Sequence, residues 1–268
     1  MKPNNLGVIN MAQGDTKFVM MCGLPRTGST LLSSILSQNP LIHSAGQSAV
    51  CQLLWDTKMS FKNKSVNEVI LANKKPNLKY DLMRSIVDVY YKEVHKPIIV
   101  DKCWYWNNPE NVQLLKEHLD PDPKFIVLLR PFGEIIASFV NLANKNKVNW
   151  LSEETLLDPA STLMRSAENI LWNKTNNENG NFLFVKYDSL VNDMPSALTK
   201  IYEFCGWEPY IHNLNRIINE TPEDDTVYEL IGMHDVRSKI SVKKNKVTLS
   251  KKTIELCSKI DEQIYEGL

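Results

Sequence analysis

The 268-residue chain has no surplus of charge of either sign, since 31 Lys and Arg face 31 Asp and Glu. Non-specific binding to nucleic acid or to an anionic membrane draws on a global positive field. That class is excluded, and any polyanion must be met locally. No stretch approaches the roughly 18 consecutive apolar residues of a membrane span. The leading MKPNNLGVINMAQGD has no apolar run flanked by positive charge, so no signal peptide, transit peptide or membrane anchor is expected. Five cysteines (22, 51, 103, 205, 257) are scattered, odd in number and without a C-x-x-C pair, and the five histidines form no cluster. A disulfide framework and a metal site are both excluded on this pattern, and reduced thiols in cytoplasm are expected. No repeat or low-complexity linker divides the chain. One domain over 1–268 is predicted, with 1–16 as an N-terminal extension.

What is present is an alternation of short apolar runs with helical stretches. KFVMMC (17–22), PIIVD (97–101), KFIVLLR (124–130) and NFLFVKY (181–187) read as strands buried on both faces. Leu31, Leu32, Ile35 and Leu36 recur at helical spacing, as do Ile135, Ile136, Phe139 and Val140, then Leu163, Ala167, Ile170 and Leu171, then Leu198, Ile201, Tyr202 and Cys205. The order predicts an α/β fold with a central parallel sheet covered on both faces. Residues 41–95 and 143–160 are read as helical excursions and loops on the rim.

Between the first strand and its helix lies GLPRTGST (23–30), a G-x-x-x-x-G turn without the Lys of a triphosphate-binding loop, because Ser29 stands in that place. Backbone N–H groups at a helix N-terminus favour an anion. Arg26 supplies a planar fork suited to phosphate or sulfate oxygens. Arg130 ends another strand, and because ligands of open parallel sheets bind at the carboxyl ends of the strands, it is placed to grip a second phosphate.

GLPRTGSTLLSSIL, FIVLLRPFGEIIASF and FLFVKYDSL together resemble the sulfotransferases that use 3′-phosphoadenosine 5′-phosphosulfate (PAPS). The likeness extends to a bacterial and phage-like branch through SQNPLIH (37–43) and MHDVR (233–237), a branch related to carbohydrate and tyrosylprotein sulfotransferases. The resemblance implies a P-loop-like three-layer α/β/α domain. It also implies that PAPS is the co-substrate, that no metal is required, and that a sulfuryl group passes to a hydroxyl or amine by in-line displacement. By motif match, the 5′ end would lie on Arg26, Thr27, Gly28, Ser29 and Thr30, and the 3′-phosphate on Arg130 and Ser138. Tyr187 would lie near the adenine, Arg237 and Lys246 would close over the nucleotide, and Lys102 would be the catalytic Lys.

The general base departs from that pattern. Relatives acting on protein tyrosines carry a Glu where ungapped counting finds Gly46-Gln47-Ser48 here. His43 and Asp101 are the candidates, His43 because imidazole titrates near neutral pH and Asp101 as the neighbour of Lys102. The aromatic run CWYWNN (103–108) offers ring platforms for an acceptor, with at least one ring expected in the core. Carbohydrate, small alcohol or amine, lipid and peptide all stay open as the acceptor, and a homodimer is allowed. The rival readings are a P-loop kinase, with Asp101 organising Mg²⁺, and a non-catalytic nucleotide-binding module. A hydrolase is disfavoured, because GQSAV (46–50) lacks the last Gly of G-x-S-x-G.

Overall fold

The structure is a computed structural model that describes residues 16–177, 179–241 and 247–268. In chain order the elements begin β1 (Lys17–Gly23), α1 (Ser29–Leu36), β2 (Ile42–Gln47), α2 (Val50–Phe61), α3 (Lys64–Ala72), α4 (Leu78–Tyr90) and β3 (Ile98–Lys102). A 3₁₀ turn (Trp104–Asn107) follows, then α5 (Pro109–His118), β4 (Lys124–Leu129), α6 (Phe132–Asn146), α7 (Glu153–Leu156) and α8 (Thr162–Thr175). The chain continues through β5 (Phe182–Lys186), α9 (Tyr187–Asn192), α10 (Met194–Cys205), a second 3₁₀ turn (Asp225–Tyr228) and α11 (Lys251–Tyr265).

The five strands form one parallel sheet in the order β2-β3-β1-β4-β5. Because side chains alternate across a strand, Val19 and Met21 of β1 pack with α1, α9 and α10 on one face. Met20 and Cys22 pack on the other face, with α2, α4, α5, α6, α8 and α11. This is the expected three-layer α/β/α arrangement. The central position of β4 explains its unbroken apolar run: Phe125 to Leu129 are all fully buried, alternate residues serving opposite cores.

The four apolar runs are strands, each within one or two residues of the expected bounds. The reading of 41–95 as only helices and loops is corrected by β2. Its sequence, IHSAGQ, has a single large apolar residue, because an edge strand paired only to β3 needs no continuous hydrophobic run. Helices α2–α4 occupy the rest of that region, and α3 buries none of its residues. Among the described residues no helix is long and apolar enough to cross a membrane. All five cysteines are buried and unpaired.

From β1 the chain crosses to the edge strand β2, returns to β3 between the two, and then passes β1 to β4 and β5 on the other side, so the direction of winding changes beside β1. In open parallel sheets the crevice at the carboxyl ends of the strands beside such a reversal is where ligands bind.

Candidate active site

A cavity of about 510 Å³ opens at the carboxyl ends of β1, β3 and β4. From β1 comes the turn carrying Arg26, Gly28, Ser29 and Thr30. Gly28 caps α1 in the left-handed region at φ 86°, and a Cβ there would stand 3.3 Å from the Tyr187 ring. Only glycine meets both demands without strain. The first N–H groups of α1 have no helical acceptor and open on the cavity beside Ser29 and Thr30. Thr27 is different: its side chain is fully buried, and its hydroxyl donates to the Leu24 carbonyl at 2.7 Å, which closes the turn.

Arg26, also left-handed at φ 60°, donates from Nε to Ser138 Oγ at 3.1 Å and from its terminal nitrogen to the Met233 carbonyl. Burial, and after it the neighbouring Arg130, pull its pKa below the ordinary guanidinium value, against the pull of Asp225, Tyr187 and Asp235. The Arg130 charge beside it raises the cost of keeping Arg26 ionised, and an anion bound between the two would offset that cost. Arg130 is itself buried. It donates to the Arg26 carbonyl and to Glu134, both at 2.9 Å, and stacks 4.1 Å over the Tyr187 ring. Tyr187, the first residue of α9, is thus held between Gly28 and Arg130. Arg26, Gly28, Ser29, Thr30, Arg130, Ser138 and Tyr187 all line the one cavity, with Ser138 next to Arg26 rather than bonded to Arg130. Arg237 lines it too, exposed and bonded to Ser241 at 2.6 Å. Lys246 lies outside the described residues.

At the tip of β3, successive residues part company. Lys102 points to the cavity, almost wholly buried, with Nζ 3.0 Å from Glu223 Oε2. Asp101 points to the opposite face. There it accepts from the Ser48 hydroxyl (2.7 and 2.8 Å), the Tyr91 hydroxyl (2.7 Å) and the Trp106 indole N–H (2.7 Å). Burial pushes its carboxyl pKa up, more than those three donors hold it down. Its oxygens are committed to a structural network on the far side from Lys102. His43 sits in β2 opposite Ile99, edge-on to Tyr91 at 5.7 Å, and burial followed by Lys96 pulls its pKa down. At a strand rise of about 3.3 Å per residue it lies roughly 13 Å below Gln47 at the strand's end, and it does not line the cavity. Neither residue that the sequence suggests as base is brought to Lys102. Of the aromatic run, Trp104 lines the cavity, Tyr105 is exposed and Trp106 is core.

Three groups that sequence reasoning missed stand there instead. Residues 209–241 are nearly devoid of regular structure and cross the cavity as a strap. Gln38 ties it down by accepting from Asn213 N (2.7 Å) and donating to the Asn213 and Arg216 carbonyls. The strap delivers Glu223 to Lys102. It also brings His234, whose Nδ1 is 2.6 Å from Asp225 Oδ1 and whose Nε2 is 3.6 Å from Glu223 Oε2. Burial pushes the Asp225 carboxyl up, but the His234 N–H groups and charge and the Gly232 amide outweigh it, leaving its pKa below the ordinary value. An ionised carboxylate only accepts, so we assign the proton to Nδ1, which aims Nε2 at Glu223. MHDVR contains His234, but nothing local in ETPEDD marks Glu223, which lies 121 residues from its partner. Among the described residues no cluster of His, Cys, Asp and Glu is placed to hold a metal.

Residues 19–211, well over half of the chain, match the model of the Sulfotransferase family. No protein of curated function matches the sequence. The structure is similar to the sulfotransferase domain from the Synechococcus PCC 7002 olefin synthase (TM-score 0.54, 17% identity, 92% of this chain and 95% of that one). It is similar also to a sulfotransferase from Alicyclobacillus acidocaldarius (TM-score 0.56, 10% identity, 95% and 96%) and to sulfotransferase STF9 from Mycobacterium avium (TM-score 0.54, 13% identity, 96% and 78%). At these identities the structural likeness speaks to the fold.

Proposed function

The chain belongs to the sulfotransferase family, and from that premise we propose that it moves the sulfuryl group of PAPS to a hydroxyl or amine acceptor, releasing 3′,5′-diphosphoadenosine. One observation carries the reading. A single cavity is lined by Arg26, Arg130, Lys102 and the first residues of α1. That set of cations suits an adenosine derivative with anions on both sides of its ribose better than a triphosphate, for which the loop lacks a Lys. Arg26 and the first turn of α1 would hold the 5′ phosphosulfate, Arg130 the 3′-phosphate, and Tyr187 the base.

In-line transfer forms a bond from the acceptor oxygen or nitrogen to sulfur and breaks the bond from sulfur to the phosphate oxygen. The electron pair stays with the phosphate. Lys102 and Arg26 stand where that charge grows, and removing one such preorganised donor costs about 2.7–4 kcal/mol of barrier in comparable sites. In-line geometry puts the acceptor on the face of sulfur opposite the departing oxygen, and its proton must leave to a group on that face.

Calorimetric titration separates this from a kinase reading. The expectation is tight binding of 3′,5′-diphosphoadenosine, indifferent to EDTA, and weak binding of ATP·Mg. Preference for ATP·Mg with loss on chelation would sink the proposal. Transfer of ³⁵S from PAPS to a panel of hydroxyl and amine compounds then identifies the acceptor.

A further inference from the structure

The missing strand carboxylate has a replacement in space. Ungapped counting along β2 finds Gly46-Gln47-Ser48 where relatives acting on protein tyrosines have a Glu. In the folded chain a carboxylate nevertheless occupies that place, delivered from the strap. Glu223 Oε1 accepts the Gln47 backbone N–H at 3.0 Å, and Oε2 meets Lys102 Nζ at 3.0 Å. Its side chain passes directly over Gly46. A Cβ at Gly46 would stand 2.5 Å from Glu223 Cγ and 2.7 Å from Cδ. Gly46 has no positive φ, so its backbone does not call for glycine. The close passage of Glu223 does.

We infer that Glu223 is the catalytic base, a carboxylate moved from the end of β2 to the strap, and that Gly46 is the vacancy through which it reaches the reacting atoms. The inference rests on the transfer reaction proposed above.

The surroundings suit the task. Glu223 meets Lys102 Nζ and the Gln47 N–H, two residues that line the cavity, which puts its carboxylate within reach of a proton shed by an acceptor bound beside them. The Glu223 side chain is 13% exposed and that of Lys102 4%, which leaves the carboxylate in a mostly dry setting against those two residues. Behind it His234 is held by Asp225, with Nε2 toward Glu223. The step balances as follows. The acceptor oxygen bonds to sulfur, the sulfur–oxygen bond to the phosphate breaks with its electron pair on the phosphate, and the acceptor proton passes to Glu223. From there it moves to His234 Nε2, giving an imidazolium paired with Asp225. His234 is thus a positioning and proton-holding residue that acts through Glu223. Tyr228 packs edge-on against its ring at 5.9 Å.

The test uses the full chain in excess over PAPS, with water as the acceptor, in single turnover, and with 3′,5′-diphosphoadenosine affinity measured alongside. Glu223→Gln keeps the size and the Gln47 contact but cannot take a proton. Its rate is expected to fall by about 10²–10⁴-fold, with nucleotide affinity undiminished. The decisive variant is Gly46→Glu in a Glu223→Ala background, which returns a carboxylate to β2 in the space Glu223 vacates. It is expected to recover at least about tenfold over Glu223→Ala alone, a small part of the general-base term. For His234→Ala, a slowed rate restored by imidazole in the buffer is expected, which a purely structural role would not give. A wild-type rate in Glu223→Gln overturns the assignment, as does a double variant no faster than Glu223→Ala. Protein that binds the diphosphate but never consumes PAPS also overturns it and leaves the donor reading standing. Protein that fails to bind the diphosphate sinks that donor reading instead.

Discussion

The wall of the cavity built from β1, β4 and β5 presents Arg26, Arg130 and Tyr187 just past the carboxyl ends of strands hydrogen-bonded into one parallel sheet. The facing side, residues 209–241, brings His234 to the cavity with Glu223 and Asp225 against it, on irregular chain held by side-chain ties from Gln38, Arg26, Lys102 and Asn146. Charge divides the same way. Between 217 and 236 there are six acidic residues and no Lys or Arg, although Arg237 and Lys239 just beyond also line the cavity, whereas the sheet-borne wall offers the adjacent guanidiniums of Arg26 and Arg130. Anchoring by secondary structure suits a ligand that does not vary, such as a nucleotide. Anchoring by a few latches suits a wall that must admit a second substrate, since segments with few buried apolar contacts open at low free energy.

If this division is real, damage to the two walls should separate. The largest effect is expected at the seam. Lys102→Met should slow transfer about 10²–10³-fold while nucleotide affinity holds, as read by single turnover beside calorimetry. A parallel loss of affinity would place Lys102 on the donor wall and erase the distinction. Next in size, Arg130→Ala should weaken 3′,5′-diphosphoadenosine about 10–100-fold, the worth of one or two hydrogen bonds to a charged group. Adenosine 5′-phosphate should be barely affected. Equal losses for both ligands would mean that Arg130 does not read the 3′ side.

Smaller effects test the frame beneath the donor wall. Gly28→Ala forces a Cβ into the left-handed region against Tyr187, at a cost of about 1–2 kcal/mol, or a Tm lower by about 3–6 °C. A Tm unchanged by calorimetry would show that the turn relaxes freely. The smallest is at Asp261, whose carboxylate accepts the Phe132 N–H at 2.9 and 3.1 Å and thereby caps α6, the helix of Ser138. Burial pushes its pKa up to about 6 from 3.8, in spite of that bond and with help from Glu134. The folded state therefore holds the proton more tightly than the unfolded chain. This contribution to stability is present below about pH 4 and is lost as pH rises through 6. Asp261→Asn should raise stability at pH 8 by about 1 kcal/mol after solvent screening, with the gain vanishing below pH 4. A gain that persists in acid would deny the cause.

The same contrast explains what could be read in advance. The strands β1, β3, β4 and β5 announce themselves because burial on both faces demands consecutive apolar residues. The edge strand β2 has no such demand and hides in IHSAGQ. Gly28, Ser29 and Arg26 are legible since a turn before a helix is a local event, written in eight adjacent residues. Arg130 is legible because a strand's end can be counted. Glu223 is not, because its place is set by Gly46, Gln47 and Lys102, each more than a hundred residues away. His43 suggests itself as base by residue type and by lying four residues before Gln47 in the sequence. The pleat and the register put it opposite Ile99, several residues short of the strand's end.

The Asp101 network has its own consequence. Lys102 and Asp101 are adjacent on one strand, and Asp101 is pinned by Ser48, Tyr91 and Trp106, which come from three separate parts of the chain. The tip of β3 is therefore clamped from the rear, like a tool in a vice, and the ammonium it carries has little freedom to drift. Loosening Tyr91 or Ser48, which the reactants never meet, should blur the aim of Lys102 and register as lost speed on the far side of the sheet.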